Sequence, residues 1–403
     1  MRGNLLYDFT YYQTKMGYHG GGEYGNTVLN ELLSRSDLEN CGLYVLKNLP
    51  VYSKLLNRAE ERGWRVHAIS DLRNLPHILK QYKYDKLYSA LPYGNKYNWE
   101  SVNFPKDVKF IYTIHGVRMM ETNLYQKAEQ GFFEDGDDTN GNYIFQTNPR
   151  VLENGAEMYR EILDVTYNRK IITVSDYSKC SIHYYFNDVN PSEIAVFDAP
   201  PKQGDKGSDK VVEKRYLEEL GITSGGYALM VSAGVYYKNV LRGVMAFDNL
   251  FDRDFSQIPE DYRVVVGGVK NPDVFLSRIR NKDRFILLGY VEDIDLEILY
   301  KHAHMLLYPT LNEGFGYPPI EAMKYGTICV CSAGTSVSEV CGDMVIYFNP
   351  LLIDEICVKI LEAFDPEIRK ELQKKIRQKL PELQSRQEAD LKAMVDYILE
   401  DEF

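Results

Sequence analysis

Positive charge is scarce in this 403-residue chain, in which 47 lysines and arginines stand against 58 aspartates and glutamates, a formal net charge of −11. A protein that mainly binds nucleic acid needs a basic face for the phosphates, so nucleic acid is excluded as the main partner. Long apolar runs are also lacking, because no stretch reaches the about 18 residues of a membrane span. The first residues, Met1 to Asn4, have no signal-peptide pattern. We expect a cytoplasmic protein, and peripheral contact with the inner face of the membrane stays open.

Patterns that bind metal ions are scarce as well. The six cysteines are scattered, and the close pair Cys329 and Cys331 has no second pair or set of histidines nearby. A zinc site is therefore not expected, and buried free thiols in a reducing compartment are the better interpretation. The acidic run from Glu134 to Asp138 contains a D-x-D pattern at Asp135 and Asp137. It does not fit a calcium loop, because no starting point puts the ligands, the glycine and the closing glutamate in order. We expect neither a metal nor an organic cofactor.

Strand-like segments alternate with helical patterns along the chain, which predicts parallel sheets and an α/β fold. The pattern runs once through residues 1–201 and starts again at 211–384, on either side of the polar, glycine-containing stretch 202–210. Such a stretch is typical of a linker between domains. The segment 118–156 is mainly polar, and we expect a mobile loop there.

A glycine-rich run, Gly20 to Gly25, precedes a helical pattern and satisfies G-x-G-x-x-G. As a dinucleotide fingerprint it is weak, since the preceding strand lies too far upstream. Amide groups at a glycine-rich helix start, such as those of Gly21 and Gly22, nevertheless suit a diphosphate. A second candidate is His115, which follows the buried strand 108–114 at the end where open α/β sheets bind ligands. Segment 118–156 follows His115 in the chain and is therefore a candidate lid on the side where an acceptor substrate would bind.

The most informative stretch is residues 312–323, Asn-Glu-Gly-Phe-Gly-Tyr-Pro-Pro-Ile-Glu-Ala-Met. Glycines on either side of Phe315 allow a sharp turn and a close approach to a ligand, and the two prolines suit the first turn of a helix. Glu313 and Glu321 lie before and after the turn, eight residues apart. A carboxylate accepts two hydrogen bonds side by side, which suits the paired hydroxyls of a ribose or a hexose.

This stretch resembles the E-x7-E motif of the family 4 glycosyltransferases, which are retaining enzymes with the GT-B fold. The resemblance implies two Rossmann-like, doubly wound domains that face each other across a cleft. Residues 1–201 would form the acceptor domain and residues 211–384 the nucleotide-sugar donor domain. Helix 387–403 would cross back to the first domain.

The resemblance also implies roles for individual residues. Glu321 would hold the ribose, and Glu313 would hold hydroxyls of the transferred sugar. The catalytic residues would be Glu313, His115 and Lys238, with His115 on the donor sugar and Lys238 on the departing diphosphate. The further donor-binding residues would be Gly21, Gly22, Arg242, Tyr290, Val291, Gly314, Phe315, Gly316 and Glu321. In this group, Tyr290 and Val291 would offer backbone groups to the base.

One position departs from the family pattern. The family pairs the lysine with an arginine, but Ala233 and Tyr237 occupy the places where that arginine is expected. Arg242, one helical turn beyond Lys238, is the candidate substitute.

The predicted function is metal-independent transfer of a hexose from a GDP- or UDP-linked donor to a glycan or lipid-linked saccharide acceptor, as in polysaccharide biosynthesis. Three alternatives stay open: a nucleotide-sugar 2-epimerase or hydrolase of the same fold, a non-catalytic sugar-binding relative, and a nicotinamide oxidoreductase built on the run from Gly20 to Gly25.

Overall fold

The computed structural model describes residues 2–13, 20–49, 51, 53–92, 99–118, 120–121, 149–164, 168–202, 207–253 and 255–401. The chain forms two compact units. The first comprises Met1–Met120, Pro149–Gln203 and Gln384–Phe403, and the second comprises Glu121–Asn148 and Gly204–Leu383.

The first unit is built on a parallel sheet of seven strands in the order β5-β4-β2-β6-β7-β8-β9. The strands of this sheet are β2 (Leu5–Asp8), β4 (Gly42–Leu46), β5 (Arg65–Ile69), β6 (Lys86–Ser89), β7 (Lys109–Thr113), β8 (Arg169–Thr173) and β9 (Ile194–Val196). The short strands β1 (Arg2–Gly3) and β3 (Leu38–Glu39) pair in a separate two-stranded sheet. The helices of this unit are α1 (Gly20–Ser34), α2 (Lys54–Glu61), α3 (Leu75–Tyr82), α4 (Pro149–Leu163) and α5 (Asp176–Tyr185). The central strands β2 and β6 are buried along their whole length, as expected for a parallel sheet covered on both faces.

The second unit repeats this architecture with six parallel strands in the order β12-β11-β10-β13-β14-β15. The strands are β10 (Tyr227–Met230), β11 (Arg263–Val266), β12 (Phe285–Leu287), β13 (Met305–Tyr308), β14 (Ile328–Ser332) and β15 (Ile346–Phe348). The helices are α6 (Lys210–Glu219), α7 (Val240–Asp252), α8 (Asp273–Leu276), α9 (Asp293–His302), α10 (Tyr317–Lys324), α11 (Thr335–Cys341), α12 (Ile353–Glu362) and α13 (Pro366–Leu399). The two doubly wound parallel sheets confirm the predicted α/β fold.

Two expectations about local structure were wrong. Most of the predicted loop 118–156 lies outside the described residues, but its last part belongs to helix α4, which begins at Pro149, and the fixed φ of proline suits a first helical position. Gly20 to Gly25 lie within α1 itself and not before it. A proline usually interrupts a helix, yet α13 continues through Pro381, between the buried Leu380 and Leu383.

The end of α13 belongs to the first unit and is held by three lysines from its sheet. Lys86 donates to the Asp401 carboxylate over 2.6 Å, and Lys170 lies 3.2 Å from a Glu400 carboxylate oxygen. Lys109 donates to the Asp401 carbonyl. Positive charge at a helix C-terminus complements the helix dipole, so these lysines fix the place where the chain returns to the first unit. None of the described helices combines the length and apolar character that a bilayer crossing requires.

Candidate active site

The second sheet changes direction between β10 and β13, its two central strands. The chain moves outward from β10 to β11 and β12, and then returns to β13 on the other side. Open α/β sheets bind ligands at this switch point, beyond the carboxyl ends of the strands. The turn after β10 carries Lys238, and the turn after β13 carries Glu313. Residues 75 positions apart in the chain therefore meet at one edge of the sheet.

The Glu313 carboxylate is the centre of this site, and it is nearly buried, with 5% exposure. Its Oε1 atom accepts hydrogen bonds from Lys238 Nζ at 2.6 Å, from the Tyr308 hydroxyl at 2.5 Å and from the Thr310 hydroxyl at 2.8 Å. Donors that stabilise the charged form keep a carboxylate ionised. A negative charge is thus held at a fixed point of the switch region.

Lys238 is linked to the same group of side chains in a second way. Its ammonium also donates to the Tyr308 hydroxyl at 3.0 Å, and it lies 5.3 Å from the centre of the Tyr308 ring. Burial, and then the charge of Glu313, raise the pKa of Tyr308 well above its ordinary value. Tyr308 therefore keeps its proton, accepts a hydrogen bond from the lysine and donates one to the glutamate.

The backbone of Glu313 is fixed by the first residues of α11. The Glu313 N–H donates to Thr335 Oγ1 at 3.2 Å, and the Ser336 hydroxyl donates to the Glu313 carbonyl at 2.9 Å. Thr335 has a φ of +55°, which is unusual for a β-branched residue and costs energy. This strained residue therefore helps to hold the glutamate in place.

Beyond Glu313 the chain turns through the predicted glycine loop into α10. Gly316 has a φ of +98°, a conformation that side chains disfavour, and Phe315 is buried. The helix begins at Tyr317, followed by the two prolines. Gly314 and Gly316 are buried as well. The tight turn expected from the sequence is present, and its amides lie next to Glu313 in the chain.

Glu321 lies on α10, partly exposed. Its negative charge contributes to the raised pKa of Tyr300, for which burial is the main cause.

The candidate substitute for the missing arginine, Arg242, is buried at 4% exposure and donates to Asn239 Oδ1 at 2.8 Å. Asn239 in turn donates to the carbonyls of Pro309 and Pro350 at 2.9 and 2.8 Å. Arg242 thus supports the turn that carries Lys238. The side chain of an exposed cation, Lys270, lies 3.0 Å from where a Cβ on Gly234, the residue after Ala233, would stand.

Tyr290 and Val291 follow β12 at the same edge of the sheet. The Tyr290 side chain is 73% exposed. Val291 Cγ2 lies 3.4 Å from where a Cβ on Gly267 would stand, at the end of β11. These residues therefore lie beyond the carboxyl ends of the strands, where a ligand of this sheet is expected.

The remaining predicted site residues belong to the first unit. Gly21 and Gly22 lie in the first turn of α1, where backbone N–H groups lack partners within the helix. His115 Nε2 donates to the Ala90 carbonyl at 2.9 Å, and its ring lies edge-on to Tyr24 at 4.6 Å. Burial lowers the pKa of His115 to about 4, so the imidazole is neutral at physiological pH.

Sequence reasoning missed several residues of the site. The pattern predicts Tyr308 only as the end of a strand, and it assigns no role to Thr310 or Thr335. Asn312 donates to the Glu121 carboxylate at 2.6 Å, a contact across 191 positions that no local pattern reveals. Among the residues that the structure describes, no group of three or more histidine, cysteine or acidic side chains is arranged to hold a metal ion.

Comparison with known proteins shows which family the second unit resembles. Residues 213–380 match the family model described as glycosyl transferases group 1. The chain is 26% identical over 364 residues to O-antigen chain mannosyltransferase B of Escherichia coli, covering 88% of this chain and 89% of that protein. It is 42% identical over 207 residues to the O-antigen chain mannosyltransferase RfbU of Salmonella typhimurium, half of each chain.

A solved structure extends the likeness to the whole fold. The glycosyltransferase from Rickettsia africae aligns with a TM-score of 0.64 over 99% of both chains, at 14% identity. The two Rossmann-like units and this structural similarity confirm the GT-B fold. The family match over residues 213–380 and the similarity to the two mannosyltransferases support a glycosyltransferase.

Proposed function

We propose that the chain is a group 1 glycosyltransferase that transfers a hexose with retention from a nucleotide-diphosphate sugar to a saccharide acceptor. The observation that carries this proposal is the buried meeting of Lys238 and Glu313 at the switch point, 2.6 Å apart. It offers a cation for a diphosphate and a carboxylate for sugar hydroxyls in one place. The names of the two relatives favour mannose as the sugar and a growing polysaccharide as the acceptor.

The donor is assigned to the second unit. Glu321 holds the ribose hydroxyls, the turn at Tyr290 and Val291 meets the base, and Lys238 meets the diphosphate. Glu313 and the amides from Gly314 to Gly316 hold the transferred sugar. The acceptor is assigned to the first unit.

In the reaction, the bond between the anomeric carbon and the diphosphate oxygen breaks, and its electron pair leaves with the diphosphate. The acceptor hydroxyl forms the new bond on the same face of the sugar and gives its proton to the departing phosphate oxygen. Lys238 stabilises the charge that develops there, which is the kind of contribution that is usually largest in catalysis. With this charge provided by the protein, the reaction needs no divalent metal. His115, neutral at physiological pH, serves as a hydrogen-bonding group toward the donor sugar.

The test is an activity screen with GDP-mannose and with UDP- and GDP-linked hexoses, with and without saccharide acceptors, in the presence of EDTA. We expect a glycoside that retains the anomeric configuration of the donor, and a loss of about 10²-fold or more in Glu313→Ala. Free sugar or an epimerised nucleotide sugar formed without acceptor would instead identify a hydrolase or a 2-epimerase. Binding of the nucleotide sugar without any turnover would identify a non-catalytic relative.

A further inference from the structure

The Glu313 carboxylate has more donors on one oxygen than its pairing with Lys238 requires. Two neutral hydroxyls, from Tyr308 at 2.5 Å and Thr310 at 2.8 Å, reach the same Oε1 atom as the ammonium. Tyr308 and Thr310 are each 1% exposed. Both come from the end of β13 and the turn after it, so they are fixed to the same short piece of chain as the glutamate. The carboxylate thus has a set of neutral partners that does not depend on the lysine.

The lysine, by contrast, has a competing partner once a donor binds. This step rests on the proposed function, in which Lys238 meets the diphosphate of the nucleotide sugar. A diphosphate carries more negative charge than a single carboxylate and attracts the ammonium more strongly. When the ammonium turns to it, the buried Glu313 loses its cation, and a buried charge without partners is costly.

We propose that Tyr308 and Thr310 are positioning residues that hold the Glu313 carboxylate while Lys238 passes from that carboxylate to the donor's diphosphate. In the free protein, the lysine and the two hydroxyls share Oε1. In the donor complex, the two hydroxyls stay on Oε1 and keep the glutamate oriented toward the sugar. The ion pair between Lys238 and Glu313 is therefore the state of the site without a donor. The two hydroxyls lower the free energy that is needed to break this ion pair.

This exchange has a consequence that a static arrangement lacks. Removing either hydroxyl makes it harder for Lys238 to leave Glu313, and so weakens binding of a nucleotide diphosphate that carries no sugar at all. Neither Tyr308 nor Thr310 has to touch the diphosphate for this to happen. If the hydroxyls only oriented Glu313 toward the sugar, their removal would affect sugar transfer and leave the affinity for the bare nucleotide unchanged.

The experiment is a calorimetric titration of GDP and UDP into the full-length protein and its variants. We expect Tyr308→Phe and Thr310→Val each to raise the dissociation constant roughly three- to tenfold, which is less than the full strength of a hydrogen bond to a charged group because the bond is present before and after the lysine leaves. Thr310→Ser should restore the wild-type value. The matched control is Tyr227→Phe, which removes a buried hydroxyl that donates over 2.7 Å to the Leu299 carbonyl at the other end of the same sheet. It should bind the nucleotide as the wild type does.

A second set of variants tests whether the effect passes through the lysine. In a Lys238→Met background there is no ammonium to exchange, so adding Tyr308→Phe or Thr310→Val should change nucleotide affinity less than twofold. Equal losses with and without the lysine would overturn the proposal, as would wild-type affinity in both hydroxyl variants. A wild-type protein that binds neither nucleotide and transfers no sugar would overturn the proposed function together with this inference. Unaltered nucleotide affinity in both hydroxyl variants of an active enzyme would overturn the inference alone.

Discussion

The buried ion pair between Lys238 and Glu313 predicts that stability and activity respond differently to the same pair of substitutions. The two side chains are 11% and 6% exposed and 2.6 Å apart. Removing one partner of a buried pair costs about 3–5 kcal/mol, because it leaves the other charge unpaired. Here Tyr308 and Thr310 still bond to the carboxylate, and hydrogen bonds to charged groups contribute about 1.5–3 kcal/mol each. We therefore expect Lys238→Met to lower the free energy of unfolding by about 2 kcal/mol, less than an unsupported pair would lose.

Glu313→Gln should also lower the free energy of unfolding by about 2 kcal/mol, because the ammonium then faces a neutral amide in a nearly dry site. The double variant leaves no buried charge, so its stability should return to within about 1 kcal/mol of the wild type. Its activity should not return, because the proposed reaction uses both the cation and the carboxylate. Each of the three variants should transfer sugar at least about 10²-fold more slowly than the wild type.

The measurements are urea unfolding followed by far-UV circular dichroism, and hydrogen exchange of peptides that cover β10 and β13. The matched control is the exposed pair Arg215 and Glu219 on α6, whose atoms lie 2.8 Å apart with 79% and 57% exposure. The same cycle there should give a coupling energy below about 0.5 kcal/mol. A Lys238 and Glu313 double variant that loses the sum of the two single losses would refute the reasoning, since the two charges would then not compensate each other.

Three other substitutions test separate parts of the site. Burial lowers the pKa of His115 to about 4 from an ordinary 6.5, so its contribution to stability is present above pH 6.5 and lost toward pH 4. Relative to His115→Asn, the wild type should lose roughly 3 kcal/mol of stability across that window in denaturant titrations, and parallel pH profiles would contradict this. Thr335→Val leaves the Glu313 N–H without its acceptor and should lower the free energy of unfolding by about 1 kcal/mol. Thr335→Ser keeps the hydroxyl and should not lower it. If both variants unfold at the same temperature, the hydroxyl is unimportant. Lys270→Ala should weaken nucleotide-diphosphate binding roughly three- to tenfold at low salt and less at high salt. The control is Lys282→Ala, at another exposed lysine of this unit, which should leave binding unchanged. Identical salt dependence of binding in the two variants would exclude Lys270 as a contact of the diphosphate.

The parts of the site that could be predicted are those in which a short stretch carries its own structure. The turn from Gly314 to Gly316 and the prolines after it specify a strand, a tight turn and a helix start within a dozen residues, and the structure has them in that order. The strands were predicted to within a few residues for the same reason, since a buried parallel strand is a short apolar run between turns. That Lys238 follows β10 could likewise be inferred from the local pattern.

What could not be predicted depends on the strand order and on side-chain direction. Glu313 meets Lys238 because β13 pairs with β10 and not with β12, and no local pattern encodes this pairing. Tyr308 ends an apolar strand, and only the position of the next turn reveals that its hydroxyl reaches the glutamate. Arg242 lies one helical turn beyond Lys238, which suggested a place in the site, but its side chain points back to Asn239.

Backbone strain indicates the same site without any reference to the motif. Among the described residues of the second unit, the non-glycine residues with positive φ are Ser232, Asn239 and Thr335, at +62°, +54° and +55°. All three lie in turns after β10 or β14, at the edge of the sheet that carries Lys238 and Glu313. The side chains of two of them form hydrogen bonds with the segment between β13 and α10. Asn239 donates to the Pro309 carbonyl, and Thr335 accepts from the Glu313 N–H.

Strained residues persist only where surrounding contacts hold them, and they cluster at functional sites. Here the hydrogen bonds made by Asn239 and Thr335 also fix the turn that carries Glu313. A turn that served only to connect β13 to α10 would not need to be fixed by conformations that cost about 1 kcal/mol or more each. The strain is accounted for if the position of the Glu313 carboxylate matters to within a hydrogen bond, as it does for a group that must orient a sugar while its cation is engaged elsewhere.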